Sequence, residues 1–347
     1  MLCLTSACVF KYICNFEKTR RHFHSLQKNI QASLILFHSF IRIFAVNKPP
    51  ENTTMAKYKK YGYDILDGKS IIPEWETEIK DKAFEYCKEL TSVELPQWIK
   101  KIGEKAFLGC ENLTEITLPE WVEEIGESAF LRCENLKSIT LPRWVKKIGD
   151  STFSWCFSLT SIAIPPSVTE IGSSVFWYCS SLKSISIPPS VTEIGNSAFS
   201  GCSSLTSITI PESVTEIGRY AFHGCSSLTS ISIPPSVTKI GGYAFDGCSS
   251  LTSISIPPSV TEIGEFAFSA CKNLTSITIP PSVTEIGEGA FWYCSSLTSI
   301  SIPPSVTEIG EKAFFGCSSL TEVRIPKGCN VHKDAFYDCP NVQIIRY

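Results

Sequence analysis

The chain is poor in the residues and patterns from which chemistry is usually read. Only five of its 347 residues are histidine (His22, His24, His38, His223 and His332), and no acid or nucleophile accompanies them at a catalytic spacing. Catalysis therefore has no address, and the expectation is a protein that is not an enzyme. An excess of one charge sign is also lacking: Lys and Arg number 31 against 34 Asp and Glu, for a net charge of −3. Nucleic acid is thereby excluded as an expected partner, because its recognition begins with a basic patch. No apolar run is long enough for a membrane span: residues 32–46 form the best stretch, interrupted by His38 and Arg42. Paired C-x-x-C ligands and phosphate-cradling G-x-x-x-x-G-K-S/T loops are missing too, so no metal and no cofactor are expected.

What is present is repetition. Apolar residues make up 43% of the chain and charged ones 19%, enough for a large core. Of the sixteen cysteines, Cys87, Cys110, Cys133, Cys156, Cys179, Cys202, Cys225, Cys248, Cys271, Cys294 and Cys317 stand 23 residues apart, and Cys339 follows after 22. A phenylalanine precedes each by three residues, from Phe84 to Phe336. Twelve in-register copies predict a solenoid of about twelve coils, roughly 55–60 Å long at the spacing of parallel strands. One cysteine per coil is one structural slot, and an inward thiol behaves as a small hydrophobe, so buried free thiols are expected rather than disulfides or ligands.

Each coil can be read position by position. In Leu205-Thr206-Ser207-Ile208-Thr209-Ile210 the alternation and β-branching predict a strand with Ile208 and Ile210 inward and the hydroxyls outward. Pro211 ends it, since proline offers no N–H to a ladder, and Pro188 and Pro234 mark the same corner. Gly172, Gly195, Gly218 and Gly241 mark the next bend, where positive φ or close backbone approach is the expected demand. The Ala-Phe pair and the cysteine fall on a short helical or irregular return segment.

The unit I-P-P-S-V-T-E-I-G-x-x-A-F-x-x-C-S-S-L-T-S-I-x closely resembles the BspA-like, or treponemal-type, leucine-rich repeats. The resemblance covers roughly residues 73–347, and residues 251–271 fit every signature position. It implies a leucine-rich-repeat superhelix, β-rich, with one parallel strand per coil, and a non-catalytic binding scaffold for protein or glycan, with adhesion among its roles. The alternative is a passive structural stalk or spacer without a defined ligand.

The chain divides by composition into three parts. Residues 1–54 lack the repeat; Leu26, Ile30, Leu34, Phe37, Ile41 and Phe44 recur at helical spacing there, and Met55 is a candidate alternative start. Residues 55–72 are read as an N-terminal cap and 73–347 as the repeat domain, with Lys80 and His332 in the glycine slot marking atypical end coils. The compartment reading favours the cell interior for want of a convincing signal peptide, with the surface second by resemblance.

Recognition in a solenoid falls to the positions that packing leaves free. Between the ladder Phe and Cys these include Trp155, Trp177, Tyr178, His223, Trp292, Tyr293 and Phe315, the candidate partner-binding edge, to be weighed against lateral packing between coils. Trp75, Trp98, Trp121 and Trp144 share one slot in four successive coils and are expected to stack, as a docking strip or a cover over the core. Glu170, Glu193 and Glu216 form an acidic stripe continued by Glu262, Glu285 and Glu308 beyond Lys239.

Overall fold

The computed structural model describes Tyr63 and residues 65–347. Readings that fall on residues 1–54, including the helical pattern and the alternative start, lie outside the described residues.

Each coil contributes a three-residue strand such as Ser207–Thr209 and a two-residue strand such as Glu216–Ile217. Both stack in parallel on their counterparts one repeat away: Ile208 lies opposite Ile185 and Ile231, and Ile217 opposite Ile194 and Ile240. The longest continuous run of long strands has eight members. Ile208 is buried while Ser207 and Thr209 on either side are exposed, as the alternation predicts. The proline corner is a turn: the Pro211 carbonyl accepts the N–H of Val214 at 3.0 Å, and Pro188 and Pro234 do the same for Val191 and Val237. In the P-P-S-V coils the second proline occupies the position after the accepting residue, where its fixed φ suits a turn.

The return segment is not helical. Residues 82–87 show why, because N–H groups alternate between two destinations. Those of Ala83, Glu85 and Cys87 close three-residue turns within the coil, whereas those of Lys82, Phe84 and Tyr86 reach the Glu104, Ala106 and Leu108 carbonyls of the next coil at 2.6–2.8 Å. A helix would consume all six internally. Two residues are left-handed in every ladder coil but the last, one two residues before the ladder Phe and one before Cys: Tyr220 (φ 57°) and Gly224 (φ 70°) in one coil, Ser174 (φ 57°) and Tyr178 (φ 57°) in another. L-residues adopt that conformation at a steric cost, and helices do not continue through it.

The glycine slot answers to close approach rather than to positive φ. Gly195 and Gly218 carry no left-handed φ, but a Cβ on Gly195 would lie 2.7 Å from the Gly172 carbonyl carbon, and one on Gly218 would lie 2.8 Å from that of Gly195. Successive coils touch backbone to backbone there, and the N–H of Gly195 donates to Ile171 at 2.9 Å.

One apolar core runs the length of the repeats. Its axis is the phenylalanine column from Phe84 to Phe336, stacked at centroid spacings of 5.0–5.7 Å. The ladder cysteines are buried free thiols that also bond: from Cys110 to Cys339 each Sγ donates to the phenylalanine carbonyl one coil back, at 3.0–3.3 Å. That oxygen already accepts the cysteine N–H of its own coil, as Phe199 does from Cys202 at 3.1 Å, so both lone pairs are used.

The ends differ. At the first coil Tyr63 stacks on Phe84 at 5.4 Å, and a hairpin follows in which Ile65–Leu66 pairs antiparallel with Lys69–Ile71. Its loop is Asp67-Gly68 with φ of 50° and 77°, the tight turn that an Asp-Gly pair favours. At the last coil the strand Gln343–Arg346 is exposed along its whole length.

Candidate functional site

The structure divides the seven candidate aromatic-edge residues into two groups with His223 between them. Trp155, Trp177 and Tyr178 form the first: Trp155 lies 5.6 Å from Trp177 and 5.2 Å from Tyr178, with Phe157 at 5.5 Å and the Arg132 guanidinium over its ring at 5.7 Å. Trp292, Tyr293 and Phe315 form the second, with Trp292 4.7 Å from Tyr293 and Tyr293 5.4 Å from Phe315. Five coils, roughly 25 Å at the parallel-strand spacing, separate Tyr178 from Tyr293.

Most of these rings are half-buried, and they pack on one another across coils. Tyr178 and Tyr293 are exposed, at 41% and 40%. Both are left-handed residues placed immediately before the cysteine, with φ of 57° and 54°. Each lays its ring over a glycine in the same position of the next coil: a Cβ on Gly201 would lie 3.0 Å from the Tyr178 ring, and one on Gly316 would lie 2.8 Å from that of Tyr293. Tyr86 sits on Gly109 in the same way. The glycine is thus a seat for a ring that stays exposed.

The second group is larger than the sequence reading. Tyr220, Tyr243 and Phe266 form a stacked column, at 4.7 Å and 4.9 Å, that touches Trp292 at 6.2 Å, and Tyr337 stacks on Phe315 at 5.5 Å. The signal was present: Tyr220, Tyr243 and Phe266 recur every 23 residues in the slot before alanine. Attention to the Phe–Cys interval alone passes over them. His223 meets Tyr220 edge-on at 5.7 Å and places Nδ1 3.0 Å from Asp246 Oδ2, joining this column rather than either tyrosine.

Arg219 links the aromatic column to the face of the short strands. Its guanidinium lies 5.1 Å over both Tyr220 and Tyr243, then crosses Gly242 to meet Glu265 at 2.6 Å. The missing side chain at Gly242 makes room, since a Cβ there would lie 3.2 Å from an Arg219 nitrogen. A shallow trough of about 880 Å³ opens at this point, walled by Arg219, Lys239, Glu262, Glu265, Glu285 and Glu288. The acidic stripe around it is exposed; Glu170 faces Glu193, Glu285 faces Glu308, and Lys239 breaks the run by pairing with Glu262 at 3.4 Å.

Among the described residues no group of three or more His, Cys, Asp or Glu is placed to hold a metal ion, and no helix is long and apolar enough to cross a membrane. Burial pushes the interior thiols from Cys133 to Cys294 up, Cys156 and Cys294 to about 12, which keeps them protonated and poor nucleophiles at neutral pH, whereas in the last coil the hydrogen bond with Cys317 lowers the Cys339 thiol. Burial, then nearby Glu265, also raises the Tyr243 phenol. The four tryptophans Trp75, Trp98, Trp121 and Trp144 are exposed in one column, but among the described residues no ring contact joins them. The expected stacking is therefore not found, because indoles at a turn corner splay into solvent where nothing holds them face to face.

Comparison with known proteins agrees with this architecture. The family model of the BspA type leucine rich repeat region matches in six copies, over residues 77–203, 169–297 and 215–343. No curated protein matches. A leucine-rich cell surface protein of Faecalibacterium prausnitzii A2-165 is similar at 29% identity and a TM-score of 0.55, over 86% of this chain and 96% of that one. A leucine-rich repeat protein of Bacteroides ovatus is similar at 28% identity and a TM-score of 0.52, over 82% and 97%. A third, from Eubacterium ventriosum, shares the fold at 24% identity and a TM-score of 0.56, over 82% and 93%. With the repeat matched through most of its length and its coils built as described, the chain belongs to the BspA-type leucine-rich-repeat family.

Proposed function

We propose that this chain is a non-catalytic scaffold that recognises a partner protein through its aromatic edge, with Tyr178 and Tyr293 as the two anchors. The observation that carries this reading is the glycine seat beneath each ring. An exposed aromatic side chain normally loses rotamer freedom on binding, and one already pinned in place loses little, which favours its use as a contact. Trp155, Trp177, Trp292 and Phe315 buttress the anchors, and His223 with Asp246 lies between them. The strand face, with its exposed Ser and Thr columns, is the second available surface.

A cell-surface setting is supported by the description of the Faecalibacterium neighbour as a surface protein; nothing comparable supports an interior one. Adhesion would be the natural task there. Pulldown with the full chain, compared with a variant carrying Trp177→Ala, Tyr178→Ala, Trp292→Ala and Tyr293→Ala, tests the reading. Partners should be lost from the variant while its thermal unfolding stays cooperative. Because the tryptophans also pack between coils, the milder pair Tyr178→Ala and Tyr293→Ala is the companion measurement. Equal recovery of partners by wild type and the milder pair would favour the passive stalk, and a signal on immobilised glycans alone would redirect the edge to sugars.

A further inference from the structure

The exposed tryptophans stand in a slot that elsewhere has a structural duty. From the fifth to the eleventh ladder coil that slot is serine, and in five of the seven its hydroxyl donates to a valine carbonyl one coil back, as Ser190 does to Val168 at 2.6 Å and Ser259 to Val237 at 2.7 Å. An indole cannot make that bond while its ring points outward. Trp75, Trp98, Trp121 and Trp144 are 71%, 53%, 51% and 46% exposed, with no ring contact among them. Within the chain the Arg143 guanidinium lies over the Trp144 ring at 5.7 Å, and the four indoles remain exposed.

At about 250 Å² for a tryptophan, the exposed fractions leave on the order of 500 Å² of indole surface on one strip. A patch of that size is in the range of the largest apolar patch on a typical monomer, which is often functional. A standard interface takes about 800 Å² per partner, so the charged neighbours of the strip would supply the remainder.

Those charges carry the identity of the partner. Beside the tryptophans each coil presents one sign: Glu74 and Glu78 in the first, Lys100 and Lys101 in the second, Glu120, Glu123 and Glu124 in the third, Arg143, Lys146 and Lys147 in the fourth. The order is negative, positive, negative, positive, and reversing it gives the opposite sign at every coil. The strip is therefore complementary to its own reversed copy.

We propose that the tryptophan strip is a homodimer interface, in which a second copy of this chain packs antiparallel across the first four coils. The two-fold axis runs perpendicular to the solenoid and passes between Trp98 and Trp121. Trp75 then meets Trp144 of the second copy, and Trp98 meets Trp121. Lys100 and Lys101 face Glu123 and Glu124, Glu74 faces Arg143, and Glu78 faces Lys147. A parallel arrangement sets each coil against its own sign and is repelled. Within one chain the same residues already form exposed pairs, Lys101 with Glu124 at 3.5 Å, Lys146 with Glu123 at 2.7 Å and Arg143 Nε with Glu120 at 3.0 Å, so the contacts across the axis extend these pairs rather than meet unpaired charges. This surface lies apart from the Tyr178 and Tyr293 edge, so the proposal does not depend on that reading.

Sedimentation equilibrium of the full chain at micromolar concentration should show a monomer–dimer equilibrium; a monomer throughout overturns the proposal. W98R/W121R should raise the dimer Kd at least tenfold with an unchanged unfolding midpoint, and retention of the wild-type Kd counts against the interface. Orientation is tested with K100E/K101E and E123K/E124K. Each variant alone sets like charges across the axis and should dimerise at least tenfold more weakly. Their equimolar mixture sets opposite charges at both contacts and should recover heterodimers. Failure of the mixture to recover, or tight dimers of either variant alone, refutes the antiparallel arrangement. Tryptophan emission that shifts with phosphatidylcholine vesicles while the chain stays monomeric would assign the strip to a membrane surface instead and overturn the dimer.

Discussion

A glycine can meet either of two unrelated demands, and this chain uses both. In the slot after isoleucine, Gly195 and Gly218 are needed for space, because the backbone of the preceding coil lies 2.7–2.8 Å from where a Cβ would be. Gly218→Ala should lower stability by about 1–3 kcal/mol, as overpacking does, measured as a shift in the urea midpoint. Gly289 shows the other demand: its φ is 56° and a Cβ there would collide with the Phe266 ring. Gly289→Ala should cost a similar amount, whereas Gly328→Ala, with nothing within 4 Å, should be close to neutral. Equal midpoints for the two alanine variants would contradict this account. The glycine slots were legible in the sequence, but the reason for each was not. The left-handed positions are filled as readily by Ser174, Tyr178, Tyr220 and Trp155 as by glycine, so composition conceals them. The cysteines were likewise legible as buried thiols, but their bond to the phenylalanine carbonyl was not, because it depends on how adjacent coils are offset. Cys225→Ala, which removes both the sulfur and its donation to Phe199 at 3.2 Å, should cost about 1–2 kcal/mol.

At the scale of the element, strands and corners could be read from alternation and proline alone, since each has a local cause. The return segment could not. Its conformation is set by N–H groups that leave the coil, as from Phe84 to Ala106, and a sequence window cannot contain a partner 22 residues away. The aromatic edge was legible in part for the same reason. Trp177 and Tyr178 were visible as large residues in variable slots, but whether a ring faces solvent or its neighbour is decided by the next coil: glycine beneath Tyr178, an aromatic ring beside Tyr243. The N-terminal hairpin carried a readable signal, Asp67-Gly68 between short β-prone runs, which lies outside the repeat pattern that dominated the reading.

For the whole molecule, the consequence of stacking thiols along one core is a sensitivity to alkali. Burial raises the folded-state pKa of the interior thiols from Cys133 to Cys294, with Cys156 and Cys294 reaching about 12, while an unfolded cysteine titrates near 8.5. Below about pH 8.5 both states are protonated and the full stability is present. Above it the unfolded state releases protons that the folded state retains, so stability falls by up to about 1.4 kcal/mol per pH unit for each such thiol until its folded pKa is reached. The urea midpoint under reducing conditions should therefore drop between pH 7.5 and 9.5, and a flat profile would remove this explanation. Native-state thiol labelling of the interior ladder should be slow at pH 7.5 and complete on unfolding.

The bonds between coils recur at fixed offsets, from the thiol that reaches 26 residues back to the threonine hydroxyl that reaches 23, as Thr206 does to Lys183 and Thr229 does to Thr206. Excision of one complete winding from the interchangeable central stretch would rejoin chemically equivalent surfaces. Evolution can thus lengthen or shorten the molecule in whole steps of 23 residues, each moving the two exposed tyrosines, Tyr178 and Tyr293, relative to one another by about 5 Å. The spacing between the two exposed rings is in this sense a heritable, quantised variable, adjustable by unequal recombination without redesign of a single side chain.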